Sequence, residues 1–148
     1  KRDGIKISKS VLNACIKKLK KNYKILLVEG PHSLRTPYVD NENWINFIRS
    51  WCDEVIWISK ISENSMENTL NSFEILKKMG IKTNILLNNQ SNELNLDLIQ
   101  YQWSTFENEL SIKVHGFVPY IKSENKFNII QKAIEGFIEK FELYKGLV

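Results

Sequence analysis

The chain has 148 residues, of which 43% are hydrophobic and 26% are charged, and this composition is typical of one globular domain with its own core. No apolar run approaches the roughly 20 residues of a membrane span, and no secretory signal opens the chain, so we expect no membrane association. The net charge of +4 suits an anionic ligand, but the basic residues lack the interleaved aromatics of a nucleic-acid surface, so we expect no nucleic-acid partner. Cys15 and Cys52 form neither a disulfide framework nor a metal-binding spacing, so we expect reduced, buried thiols and a cytoplasmic protein.

Helical and extended patterns alternate along the chain. Helices are predicted over residues 8–21, 42–52, 65–79, 94–110 and 127–143, and strands over residues 24–28, 55–59, 81–87 and 113–118. Ser8 is the predicted N-cap of the first helix, and Gly80 is the predicted C-cap of the third. This alternation predicts right-handed β-α-β crossovers, and therefore a single α/β domain over residues 1–148 with a parallel sheet and helices on both of its faces.

The first predicted strand carries the most informative signal. The segment from Lys24 to Val28 is mostly apolar and ends at Glu29 and Gly30, which is typical of a buried parallel strand that ends in a turn. Ligands of open α/β sheets bind beyond the carboxyl ends of the strands, so Glu29 is expected to face a ligand or the metal that a ligand carries. The alternative is that Glu29 only caps the turn or pairs with a lysine.

The other predicted strands also end in polar or turn-forming residues. These strand ends are Ser59–Lys60, Asn88–Asn89 and Pro119–Tyr120. Because the carboxyl ends of parallel strands meet at one edge of a sheet, we expect these ends to form one rim with Glu29–Gly30. The asparagine pair also fits a simple turn, an alternative that the sequence leaves open.

Several of these segments resemble the dethiobiotin synthetase family, which consists of ATP-dependent ring-closing ligases of the P-loop class. The sequence VEGPHSLRTPY, from Val28 to Tyr38, resembles the family loop Val-Glu-Gly-Ala-Gly-Gly-Leu-x-x-Pro-Leu. The Gly80-Ile81 step, the Asn88-Asn89 pair and the segment from His115 to Tyr120 are similar to family landmarks in the same order. The resemblance covers nearly all of this chain, but only the C-terminal two-thirds of the family.

The resemblance implies a P-loop NTPase-like fold that lacks the N-terminal phosphate-loop strand, because the chain contains no G-x-x-x-x-G-K-S/T sequence. It implies ATP- and Mg²⁺-dependent carboxylation and ring closure of 7,8-diaminononanoate in biotin biosynthesis, with the diamine, CO₂ and ATP as substrates and a homodimer as the assembly. The activity is expected to reside in a longer parent, since the chain as given should be inactive alone and carries none of the catalytic residues of the family.

The resemblance also implies roles for individual residues. Glu29 matches the magnesium-binding residue, and His32 and Ser33 match substrate-binding positions. The implied nucleotide-binding residues are Glu29, Gly30, Pro31, His32, Asn88, Asn89, Pro119, Tyr120 and Ile121. Among these, Asn88 matches the residue that recognises adenine, and an amide offers both the donor and the acceptor that the N6/N7 edge requires.

Two departures from the family pattern leave alternatives open. Pro31, His32 and Ser33 replace Ala-Gly-Gly, and Asn64 and Glu67 stand where the family usually has Gly and Asn. The chain is therefore also compatible with a degenerate, non-catalytic paralogue that serves as a dimerisation or binding module. A third interpretation is a different P-loop relative, such as a cobyric acid synthase or a partitioning ATPase.

Overall fold

The computed structural model describes residues 8–39, 42–93, 95–122 and 128. Residue contacts divide the chain into two compact units, Lys1–Cys52 and Asp53–Val148. That these units form one domain stays a prediction. Among the described residues, no helix is both long enough and apolar enough to cross a membrane.

The first unit is built from two helices and a short hairpin. Its elements are α1 (Lys9–Asn22), β1 (Pro37–Val39), β2 (Glu42–Asn43) and α2 (Trp44–Trp51). Ser8 caps α1 as predicted, because its Oγ accepts a hydrogen bond from the backbone N–H of Val11 at 3.2 Å. The helix predicted from residue 42 begins at Trp44, because Glu42 and Asn43 pair with β1 instead.

Aromatic packing and one ion pair hold the hairpin in this unit. The ring centroid of Tyr38 lies 5.9 Å from that of Trp44 and 5.5 Å from that of Phe47. Lys9 Nζ on α1 donates to Glu42 Oε1 on β2 at 2.5 Å. This hydrogen bond holds the pKa of the Glu42 carboxyl below its ordinary value and raises the pKa of Lys9. The pair therefore joins α1 to the hairpin while both groups are charged.

Two predictions for the first unit are wrong. Residues 24–28 form no strand with any described residue, and Leu27 is 81% exposed. An apolar sequence favours an extended segment, but a strand also needs a neighbouring backbone with which to pair, and the sequence does not reveal that partner. Cys15 is exposed rather than buried, because α1 buries the side that carries Ile16.

The second unit contains three parallel strands joined by two helices. Its elements are β3 (Glu54–Lys60), α3 (Glu63–Lys78), β4 (Lys82–Asn88), α4 (Leu96–Leu110) and β5 (Val114–Val118). The strand order is β3-β4-β5, and both pairings are parallel. The predicted α/β class with a parallel, helix-flanked sheet is thus confirmed.

Both described helices of this unit cover the same face of the sheet. The core on that face consists of Phe73, Ile85, Leu87, Phe106, Leu110 and Val114. Ile56 and Ile58 alternate with the inward-facing Trp57 and lie on the opposite face, where Ile58 is 61% exposed. A helix over this second face stays a prediction, and the helix predicted over residues 127–143 lies outside the described residues except for residue 128.

Both described helices of this unit end in a left-handed conformation. Gly80 follows α3 with φ +71°, and Ile81 N donates to Leu76 O at 3.0 Å, which is the hydrogen bond of a Schellman end. The predicted C-cap role of Gly80 is thereby confirmed. Ser111 follows α4 with φ +54°, a conformation that costs energy for any residue with a Cβ.

A β-bulge interrupts the pairing of β4 with β5. Ile85 pairs with Val114, but the next residue, Leu86, pairs with Gly116, so His115 is an extra residue in β5. Because of this extra residue, Val114 and Phe117 both pack against the core although they are three positions apart.

Candidate nucleotide-binding rim

The three parallel strands end side by side at the carboxyl edge of the sheet. Lys60 pairs with Asn88, and Asn88 pairs with Val118. We call this edge the carboxyl rim and define it as residues 59–61, 88–89 and 118–121. Three of the four predicted strand ends are thus brought together as expected. The fourth, Glu29–Gly30, lies in the first unit, and its presence at this rim stays a prediction.

Backbone hydrogen bonds continue across the rim beyond the last paired residues. Ile61 N donates to Asn88 O at 3.2 Å, and Asn89 N donates to Val118 O at 2.9 Å. Each of these bonds links the end of one strand to the end of the next. The positions of all three strand ends are therefore mutually dependent.

The two asparagines of the rim have different roles. Asn89 is 8% exposed, and its Oδ1 accepts a hydrogen bond from Ser91 N at 3.2 Å, so this residue shapes the turn as the simpler alternative proposed. Asn88 is half-buried, and its amide makes no hydrogen bond to any described residue. Asn88 therefore keeps both a donor and an acceptor for a ligand, whereas Asn89 does not.

The residues after β5 add an apolar and aromatic surface to the rim. Pro119 is exposed, Tyr120 is 42% exposed and Ile121 is half-buried. Tyr120 lies two residues after Val118, which pairs with Asn88, so a partly exposed aromatic side chain and a free amide belong to the same edge of the sheet. This combination suits a flat heterocycle such as a nucleobase.

A buried network of side-chain hydrogen bonds lies at the end of β3. Thr69 Oγ1 on α3 donates to Ser65 O at 2.8 Å and accepts from Trp57 Nε1 at 3.1 Å. Because the single Thr69 proton is used in this way, Ser59 Oγ must donate to Thr69 Oγ1, from which it lies 2.8 Å. Strand β3 is thus fixed to α3 at the first residue of the rim, Ser59.

Gln102 on α4 completes this network from the other helix. Its Nε2 donates to Ser59 Oγ at 3.2 Å and to Lys60 O at 3.0 Å. Its Oε1 is buried and has no hydrogen-bond partner among the described residues. Two hydrogen bonds contribute about 1–3 kcal/mol together, and one unsatisfied buried acceptor costs about 1–3 kcal/mol, so the net effect of this amide on stability is close to zero.

The sequence prediction missed Gln102, although a signal was present. The apolar stripe of α4 includes Ile99 and Phe106, and Gln102 lies between them at helical spacing. A polar residue in a buried stripe needs a specific partner. That partner, the end of β3, becomes visible only once the fold is known.

The loop of the first unit places its predicted residues in a compact turn. Thr36 N donates to Ser33 O at 3.2 Å, and Ser33 Oγ accepts from Arg35 N at 3.3 Å. Leu34 is buried and anchors this turn, whereas Glu29 and His32 are exposed. Glu29 makes no ion pair with a described residue, so the alternative of a structural Glu29–lysine pair finds no support there.

Gly30 does not need to be glycine for steric reasons alone. A Cβ at this position would meet the ring of Trp44 at 3.5 Å, which is ordinary contact distance. Pro31 is half-buried beside it. A demand for glycine here would have to come from a ligand that approaches the backbone.

The described residues contain no group of three or more His, Cys, Asp or Glu side chains that could hold a metal ion by themselves. Mg²⁺ is commonly bound through one or two carboxylates together with water and nucleotide phosphates, so a single exposed carboxylate such as Glu29 fits this ion chemically.

A shallow depression of about 430 Å³ runs along one side of α4, lined by Leu96, Ile99, Gln100, Trp103, Ser104 and Glu107. It contains none of the predicted site residues. Its lining is mainly apolar, and it lies on a helix rather than at the carboxyl ends of the strands, where open α/β sheets bind their ligands, so we assign the candidate site to the rim.

A parallel α/β sheet with ligand-accessible polar residues at its carboxyl rim is the arrangement in which open α/β proteins bind their ligands. A model of the AAA domain family AAA_26 matches residues 1–126, so the chain belongs to this family. It is a P-loop NTPase-type family that includes dethiobiotin synthetase-like domains, and the coarse prediction of a nucleotide-binding, ATP-using domain is thereby supported.

Proposed function

We propose that the carboxyl rim binds the adenine base of ATP, with Asn88 as the base-recognition residue and Pro119, Tyr120 and Ile121 alongside the base. The observation that carries this proposal is the unpaired amide of Asn88, held beside Val118 by the register of β4 and β5. An amide can donate to N7 and accept from the N6 amine of adenine, whereas guanine presents two acceptors at that edge.

The reaction that we propose is that of a dethiobiotin synthetase. One amine of 7,8-diaminononanoate takes up CO₂ as a carbamate, and the carbamate oxygen receives the γ-phosphoryl group of ATP while ADP leaves. The second amine then attacks the carbonyl carbon, closes the ureido ring and releases phosphate. The support is the similarity of the segment from Val28 to Tyr38 to the family loop, together with membership of a P-loop family that includes such enzymes.

Within this reaction, this chain would supply binding and charge rather than a nucleophile. Glu29 would hold Mg²⁺ through its carboxylate, and Mg²⁺ would neutralise phosphate charge. His32 and Ser33 would contact the carbamate or the phosphate by hydrogen bonds. The homodimer remains part of the same proposal.

The test of base recognition is a titration of the protein with adenosine and with guanosine, followed by NMR chemical shifts. Adenosine is expected to shift the signals of Asn88 and Tyr120, with weaker binding of guanosine. Asn88→Ala should weaken adenosine binding about tenfold, since two hydrogen bonds to the base are lost.

Asn108→Ala is the matched control, because Asn108 is an exposed asparagine of α4 outside the rim. It should bind adenosine as the unmodified protein does. Equal binding of adenosine and guanosine, or equal losses in the two variants, would refute base recognition by Asn88.

A non-catalytic paralogue is the second candidate, and the replacement of Ala-Gly-Gly by Pro31, His32 and Ser33 favours it. The coding sequence upstream of Lys1 separates the two. A glycine-rich loop with Gly-Lys-Thr in the same reading frame supports the ligase, whereas a start codon directly before Lys1 supports the non-catalytic form. Turnover of 7,8-diaminononanoate with MgATP by the complete gene product then decides the reaction.

A further inference from the structure

Gln102 occupies an unusual place for an amide side chain. It lies on the buried side of α4 with no exposed surface, and both hydrogen bonds that its Nε2 donates reach the end of β3 rather than its own helix. Its contact with the backbone carbonyl of Lys60 falls on the last residue of that strand. The side chain therefore connects the middle of α4 to the start of the carboxyl rim.

The contacts continue from Gln102 to the proposed base site. Lys60 precedes Ile61, whose N–H is bonded to the carbonyl of Asn88. Asn89 N–H is in turn bonded to the carbonyl of Val118. A shift of the Lys60 carbonyl would thus be passed through the Ile61 bond to the backbone of Asn88.

Stability alone does not call for an amide at this position. The two hydrogen bonds of Nε2 are offset by the buried, unsatisfied Oε1, as worked out above. A methionine of similar length and volume would fill the same space without leaving an acceptor unsatisfied. Methionine cannot reproduce the hydrogen bonds that Gln102 Nε2 donates to Ser59 Oγ and to the carbonyl oxygen of Lys60.

We infer that Gln102 is a positioning residue for nucleotide binding, which sets the place of Asn88 by holding the end of β3 through Ser59 and Lys60. This inference rests on the proposed role of the rim in base recognition. Gln102 touches no ligand in this scheme, and its effect reaches the base only through the backbone of Lys60, Ile61 and Asn88.

The experiment compares Gln102→Met with Asn108→Met, an amide-to-methionine control on the exposed side of the same helix. Gln102→Met should fold with nearly unchanged stability but bind adenosine about fivefold more weakly. A fivefold loss of affinity corresponds to the free energy of about one hydrogen bond. The backbone amides of Ile61 and Asn89 should exchange with deuterium faster in this variant. Asn108→Met should change neither quantity.

The adenosine affinity of a double variant at Gln102 and Asn88 is a second measurement, and a purely structural role of Gln102 would not produce the result expected for it. If Gln102 acts through Asn88, the double variant Gln102→Met/Asn88→Ala should bind adenosine no more weakly than Asn88→Ala alone. Losses that multiply in the double variant would show that the two residues act independently, and would overturn the inference.

The remaining outcomes are also decisive. Unchanged adenosine binding and unchanged amide exchange in Gln102→Met would overturn the positioning role while leaving the base site intact. If Gln102→Met and Gln102→Leu both fail to fold, the amide is needed for stability and the inference is wrong. If the unmodified protein does not bind adenosine, the proposed function fails, and amide exchange at Ile61 and Asn89 still tests the hold on β3.

Discussion

Helices α3 and α4 both end in a left-handed conformation, but α3 has a glycine there and α4 has a serine. Substitutions at these two positions give a quantitative prediction for stability. Gly80 has φ +71°, and a Cβ built there meets no atom within 4 Å, so Gly80→Ala has no steric cost beyond the backbone. The left-handed conformation costs a residue with a Cβ about 1–2 kcal/mol. Alanine regains about 0.4–1 kcal/mol by restricting the unfolded chain. The net loss of unfolding free energy should be about 1 kcal/mol.

Ser111→Gly is the reciprocal change, because Ser111 has φ +54°. Glycine removes the same conformational cost and gives back the same unfolded-state term, so we expect a gain of about 0.5–1 kcal/mol. Urea unfolding followed by circular dichroism measures both values, and the slope with urea should stay constant. Gly80→Asn should lose only part of what Gly80→Ala loses, because asparagine tolerates this conformation. A Gly80→Ala variant as stable as the unmodified protein, or a less stable Ser111→Gly variant, would refute the reasoning.

The ion pair and the metal proposal give the remaining predictions. Because Lys9 lowers the pKa of Glu42 below 4.5, this carboxylate stabilises the fold above that value, and its contribution is lost as the pH falls through the lowered pKa. Because Glu42 raises the pKa of Lys9 above 10.5, the lysine contribution is lost only as the pH rises through the raised pKa. Unfolding of Glu42→Gln in urea, measured downward from about pH 5, should therefore depend less on pH than that of the unmodified protein, and equal slopes would contradict the pairing. For the metal, Mn²⁺ added with ATP should broaden the NMR signals around Glu29, and Glu29→Gln should abolish this broadening. The control variant Glu63→Gln, which changes an exposed glutamate, should leave the broadening in place. Broadening that survives in Glu29→Gln would show that Glu29 does not bind the metal.

Short-range signals in the sequence predicted much of the fold. Ser8 and Gly80 were assigned correctly because a helix cap depends on residues within one turn of it. The parallel sheet followed from the alternation of strands and helices, which also brought Lys60, Asn88 and Val118 to one edge. These features needed no knowledge of distant contacts.

Long-range contacts explain the errors. The segment 24–28 has a strand-like composition, but pairing depends on a neighbour that composition does not name. The spacing around Cys15 shows an apolar side of α1, but not which part of that side is covered. For the same reason Gln102 could be noticed in the sequence as a polar residue in an apolar stripe, while its link to Ser59 could not be foreseen.

The extra residue at His115 has a consequence for how insertions and deletions act on this protein. In a regular strand, losing one residue exchanges the inward and outward side chains of everything that follows it. His115 is an exception, because it is the bulged residue: without it, Phe117 would follow Val114 by two positions, and both side chains would still face the hydrophobic interior. Deleting His115 should therefore leave a regular strand with its sides unchanged. In β4, which is regular, losing Leu86 would instead turn Leu87 out of the interior. The bulge thus makes β5 the more tolerant of the two strands toward the loss of one codon.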